Sequence, residues 1–122
     1  MEKHIFLAFD LGATSGRSIL GVLENGKVEI KELTRFPNGI IELHGKYYWN
    51  LTGLYQALKD GLKACHKEGI TPESIGIDTW GVDYGLVDKK GELVCDPYSN
   101  RDLRTRNIGE YFSQFMPLSR LY

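Results

Sequence analysis

The stretch Phe9-Asp-Leu-Gly-Ala-Thr-Ser-Gly-Arg17 sets a carboxylate, two hydroxyls and a cation around a glycine frame, directly after an apolar run. Backbone amides from Gly12 to Gly16, with the Thr14 and Ser15 hydroxyls, can form a concave set of donors for the terminal phosphates of a nucleotide. Arg17 can add charge to that grip. Asp10 is an acceptor only at neutral pH and can hold a hydrated magnesium ion beside the phosphates. The alternative is a polar turn in which Asp, Thr and Ser bond their own backbone. A Walker-type loop is excluded: the glycine spacing is one residue short, Arg17 stands where lysine is needed, and the chain runs on into a strand instead of opening a helix. The dinucleotide fingerprint fails for want of the same helix.

A second stretch, Ser74-Ile-Gly-Ile-Asp-Thr-Trp-Gly-Val-Asp-Tyr84, again passes from an apolar strand into polar groups and a glycine. Asp78, Thr79 and Asp83 offer hydrogen-bond partners for hydroxyls, Trp80 offers a face for a sugar's C–H surface, and Gly81 lets a ligand approach the backbone. The competing reading makes Trp80 a core residue, Asp78 a turn cap and Gly81 a conformational necessity. Tyr47, Tyr48 and Trp49 form an aromatic run that either packs on a sheet or rims a pocket. Arg101 and Asp102 either bind hydroxyls or pair with each other.

These groups need a scaffold to hold them. Strand-forming runs extend from His4 to Phe9, from Arg17 to Leu23 and from Val28 to Phe36. Asn25-Gly26 joins the second run to the third as a tight hairpin turn, and a change of phase at Leu33 points to a bulge. Pro37-Asn38-Gly39 breaks this meander, and the segment up to Asn50 reads as a loop. Leu51, Leu54, Tyr55, Leu58, Leu62 and Cys65 recur at helical spacing, with Asn50 or Thr52 as the opening cap and Gly69 as the stop. Ser74 to Asp78 reads as a short buried strand. Tyr84–Asp88 and Leu93–Cys95 read as hairpin arms, and Leu103–Phe115 as a helix stopped by Pro117. Such an order predicts an α/β protein with a mixed sheet and flanking helices.

A chain of 122 residues with 42% hydrophobic and 25% charged side chains suits one globular domain. Its formal charge of −1 gives no basic excess for a nucleic-acid backbone. No apolar run reaches membrane-spanning length, and Asp10 follows the first one too closely for a signal peptide, so a cytoplasmic location is expected. Cys65 and Cys95 lie far apart with no histidine pair nearby, which argues against a zinc site or a disulfide and for two buried thiols. His66 falls at the helix end, where it favours the dipole.

Taken together and in order, FDLGATSGR, SIGIDTWGVDY and PYSNRDLRTRN resemble the FGGY carbohydrate kinases, along essentially all 122 residues. The resemblance implies an RNase H-like, actin-like ATPase fold, with residues 1–122 forming the N-terminal part of the first actin-like domain. By position it implies that Asp10 belongs to the magnesium and phosphate network and that Ala13, Thr14, Ser15, Gly16 and Arg17 form the ATP-phosphate loop. Gly81 would contact the sugar, with Trp80 and Asp83 beside it. Ala13 departs from the threonine common in the wider family, which removes one hydroxyl donor. The implied reaction is ATP- and Mg2+-dependent phosphorylation of a ketose, L-rhamnulose at its terminal carbon. The aspartate that takes the sugar's proton is expected beyond Tyr122, so these residues alone are expected to show negligible kinase activity. The partners implied are ATP and a small sugar, with self-association possible through a truncated interface. Two alternatives stay open: a non-catalytic nucleotide- or sugar-binding fragment, and an actin-like ATPase without a sugar substrate.

Overall fold

The computed structural model describes residues 2–120. They divide into two compact units, residues 2–40 with 50–82 and residues 41–49 with 83–120, where length and composition led us to expect one.

The first unit is a four-stranded sheet with one helix. β1 (His4–Leu11) pairs antiparallel with β2 (Ser15–Glu24), β2 pairs antiparallel with β3 (Lys27–Pro37), and β6 (Ser74–Asp78) lies parallel to β1, giving the order β3-β2-β1-β6. Strand alternation in β1 turns Leu7, Phe9 and Leu11 to one face, with exposures of 0%, 2% and 9%. Leu7 and Phe9 join Leu20 of β2 and Cys65 of α1 (Leu51–Lys67) in the core, with Ile5, Val22, Leu33, Leu58 and Ile70 packed against them. Each fully buried leucine or phenylalanine contributes about 1.5–3 kcal/mol by leaving water. The β2–β3 turn sets Asn25 at φ 55° and Gly26 at φ 72°, the left-handed pair that a primed hairpin turn requires. The expected bulge is present: Ser18 pairs with Thr34 and Ile19 with Glu32, leaving Leu33 unopposed. Asn50 caps α1 by accepting from the Gly53 amide at 3.0 Å, and Gly69 ends it at φ 72°.

The second unit, from Ile41, holds the rest of β4 (Ile40–Leu43) and its hairpin partner β5 (Lys46–Trp49), turned by His44 and Gly45 at φ 53° and 71°. Here the loop expectation was incorrect, because His-Gly served as a primed turn and no Asn-Gly pair announced it. Residues 97–99 run beside β5, with Trp49 N–H donating to Pro97 and Ser99 N–H to Tyr47. The hairpin expected around Lys89–Gly91 reduces to a single bridge, Val87 to Leu93, closed by Asp88 accepting the amides of Lys90 and Glu92. The expected helix over 103–115 breaks into a 3₁₀ turn, Leu103–Thr105, and α2 (Ile108–Ser113). Asp102 caps the 3₁₀ turn, its carboxylate accepting from the Arg104 amide.

Two burial expectations are also corrected. β6 is a strand but exposed throughout, with Ile75 at 51% and Ile77 at 58%. Cys65 is buried as expected, whereas Cys95 is exposed. No helix among the described residues is long and apolar enough to cross a membrane.

Candidate active site

β1 and β2 meet in the turn that carries the first stretch. Asp10 and Arg17 are direct cross-strand partners near the mouth of this hairpin. Arg17 donates from Nη2 and Nε to one Asp10 oxygen at 2.9 and 3.1 Å, with both side chains a little over two-fifths exposed. Asp78 is the parallel-strand neighbour of Asp10, so the two carboxylate-bearing residues lie side by side at the ends of β1 and β6. Arg17 supplies the countercharge to the first of them.

The turn closes through Gly12 N–H donating to the Ser15 carbonyl at 2.9 Å. A Cβ on Gly12 would come within 2.8 Å of that same oxygen, and one on Gly16 would run into the Phe36 ring. Both glycines are therefore steric requirements of the turn and its packing. Asn38, only 5% exposed at the end of β3, reaches back to the hairpin: its backbone N–H donates to Thr14 O at 2.9 Å and its Nδ2 to Gly12 O at 2.8 Å. The amides of Ala13 and Thr14 and the hydroxyls of Thr14 and Ser15 have no partner among the described residues. The polar-turn alternative required Asp10, Thr14 and Ser15 to bond local backbone, and these side chains do not do so. The hairpin instead has its Gly12, Thr14 and Ser15 carbonyls occupied and its Ala13 and Thr14 amides available.

The second stretch is arranged differently. Gly81 is exposed, and a Cβ added to it would meet nothing within 4 Å. Val82 adopts φ +67°, a left-handed conformation that a β-branched residue seldom takes. Trp80 is half-buried, which keeps it out of the core. Asp83, also half-buried, accepts a hydrogen bond from Trp49 Nε1 at 2.8 Å. Trp49 itself is 2% exposed, so the aromatic run packs at this residue. Asp102 does not pair with Arg101. It is 6% exposed and accepts from the Tyr47 and Arg104 amides at 2.7 and 2.9 Å, bonds that hold its carboxyl below the usual value. Tyr48 and Tyr98 stack at 4.6 Å, and the hydrogen bond between their hydroxyls pushes Tyr48 up to about 12. A cavity of 160 Å3 beside Tyr98 and Arg104 contains none of the expected site residues.

Sequence reading missed Asn38 and misassigned Asp102. Asn38 had been counted only as part of a chain break, and its bonds span more than twenty positions, so no local pattern announces them. Asp102 did carry a signal, an Asp two residues before the amide it caps.

No family model matches the chain. It is 46% identical to a rhamnulokinase of Bacteroides thetaiotaomicron over 98% of its own length and 25% of the relative's. To a rhamnulokinase of Halalkalibacterium halodurans it is 45% identical over 95% of its length and again 25% of the relative's. The chain thus spans about a quarter of the length of the curated relatives it matches. Among solved structures it superposes on a gluconate kinase from Lactobacillus acidophilus with TM-score 0.79 at 14% identity, covering 99% of this chain and 24% of that one. A ligand-bound xylulose kinase from the same organism gives TM-score 0.78 at 14% identity, covering 98% and 24%. With its mixed sheet and flanking helices the fold is RNase H-like, part of an actin-like domain. Along almost its whole length the chain is therefore similar to about a quarter of the length of the rhamnulokinases, and it shares the fold of the sugar kinases on which it superposes.

Proposed function

We propose that these residues are the N-terminal part of the first actin-like domain of a cytoplasmic kinase that phosphorylates a ketose, L-rhamnulose to L-rhamnulose 1-phosphate. One observation carries the reading: the β1–β2 hairpin presents the unpaired amides of Ala13 and Thr14 while its Gly12 and Thr14 carbonyls are taken up by Asn38. Such a donor set fits a polyphosphate. The names of the rhamnulokinase relatives support the sugar.

ATP with Mg2+ supplies the activated phosphoryl group and part of its charge neutralisation. The hairpin amides and the Thr14 and Ser15 hydroxyls hold phosphate oxygens, and Arg17 at the first residues of β2 adds positive charge where the transition state spreads negative charge. Asp10 would hold the hydrated metal. No group of three or more His, Cys, Asp or Glu side chains among the described residues forms a metal cage, and magnesium characteristically takes only one or two carboxylates plus phosphates. Gly81 and Trp80 of the first unit are assigned to the sugar, and in the second unit Asp83, oriented by Trp49, is assigned as a hydroxyl acceptor. An aspartate outside these residues takes the sugar's proton, so the 122-residue chain alone is expected to be inactive. Exposed Ile75 and Ile77 on β6 support its self-association when isolated.

A coupled phosphorylation assay on the longer kinase, with L-rhamnulose set against other ketoses, tests the reading. Arg17→Ala should lower kcat/KM about 10²–10³-fold, although loss of its half-exposed pair with Asp10 should cost less than about 1 kcal/mol of stability. Unchanged turnover in that variant, or no ATP-dependent phosphorylation of any ketose, overturns it.

A further inference from the structure

We infer that Asn38 is a positioning residue for the phosphate-gripping hairpin, setting the direction of the donors the hairpin presents. The inference rests on the phosphate reading above. In a planar trans peptide the carbonyl and the N–H that share a plane point in opposite directions, and none of the described peptides is cis. Gly12 O shares its plane with Ala13 N–H, and Thr14 O shares its plane with Ser15 N–H. The Asn38 side chain holds the first carbonyl at 2.8 Å and the Asn38 backbone holds the second at 2.9 Å. Both flanking planes of the turn are thereby fixed, with Ala13 N–H and Ser15 N–H directed away from Asn38 and the Thr14 amide between them.

The two bonds differ in what they demand of the sequence. Asn38 N–H to Thr14 O continues the β2–β3 ladder one step past Ser15 and Pro37, and any residue except proline would make it. The Nδ2 bond to Gly12 requires a short side chain with an N–H donor at this buried position. Asp is of equal size but, when ionised, turns an acceptor toward a carbonyl. Without this pin the Gly12–Ala13 plane can rotate, and an ordered donor becomes one that must be fixed again each time an anion binds.

The test compares wild type, Asn38→Asp and Asn38→Ala in the longer kinase proposed above. MgATP affinity is measured by calorimetry, the amide resonances of residues 12–17 by NMR, and the fold by thermal midpoint. Expected are MgATP resonance shifts at Ala13 to Arg17 in wild type and a loss of affinity of about tenfold or more in both variants, with Asn38→Asp the weaker binder. The hairpin amides should move in the variants without ligand, while those of β6 stay in place. Should Asn38→Ala fail to fold, Asn38→Ser retains a small polar group that falls short of Gly12, and it should show the same loss. Affinity that is unchanged in the folded variants overturns the inference and leaves the phosphate reading standing. If wild type itself shows no MgATP shift at the hairpin, the phosphate reading falls and takes the inference with it, an outcome told apart by the wild-type spectrum alone.

Discussion

The Gly12–Arg17 hairpin and the Trp80–Asp83 segment were both read from sequence as glycine-centred polar sites, yet they are built in opposite ways. The hairpin, in the function proposed for it, works through its main chain. Its glycines are sterically required, its Gly12 and Thr14 carbonyls are bonded to a buried asparagine, and its Ala13 and Thr14 amides have no partner among the described residues. In the other segment the glycine is surrounded by open space, the backbone strain sits on Val82, and the carboxylate is already bonded to a buried tryptophan. A site made of amides depends on what occupies the carbonyls. A site made of side chains depends on what orients them.

The sharpest way to break this contrast is to add a side chain at each glycine. Gly16→Val should destabilise the chain by about 3 kcal/mol, read as a fall in urea midpoint, because the new carbons must displace Phe36 and Leu11. Trp49→Phe should come next, at about 1.5 kcal/mol, since it removes the Nε1 donor from Asp83 while keeping most of the ring's volume. In the proposed kinase the same variant should raise the KM for sugar more than it lowers kcat.

An acid titration separates the two units. The amides of Tyr47 and Arg104 lower the Asp102 value in the fold, so its contribution to stability is present above its unfolded value of about 4 and is lost as pH falls through the lower folded one. Near-UV circular dichroism of the tyrosines around β5 should therefore change below about pH 4, and Asp102→Asn should flatten that change. Val82→Gly should gain no more than about 1 kcal/mol, because relief of the left-handed strain is offset by the entropy of a more flexible unfolded chain. Smallest of all, Gly81→Ala should leave stability within about 0.5 kcal/mol while weakening sugar binding. A Gly81→Ala cost equal to that of Gly16→Val would remove the distinction between the regions.

Much of the first unit was legible because its signals are local. The alternation in β1, the Asn25-Gly26 turn, the phase change at Leu33 and the spacing from Leu51 to Cys65 each concern residues within a few positions of one another. The second unit was read less well. Its hairpin turns on His44-Gly45, its capping aspartate was read as either a hydroxyl binder or half of an ion pair, and the helix expected after it is divided into a 3₁₀ turn and α2. Burial was the other blind spot: an apolar strand such as Ser74–Asp78 looks like core until the neighbours it lacks are known.

By itself the sequence determined the meander, the helix and the glycine-framed turn proposed to grip a phosphate, because period, turn chemistry and glycine placement act over short range. Only the tertiary structure decided which way that grip faces. Asn38 and Gly12 are 26 positions apart, and nothing except the pairing of β2 with β3 brings the amide to the carbonyl. The same holds for Trp49 and Asp83, 34 positions apart, whose hydrogen bond exists because the chain folds back on itself.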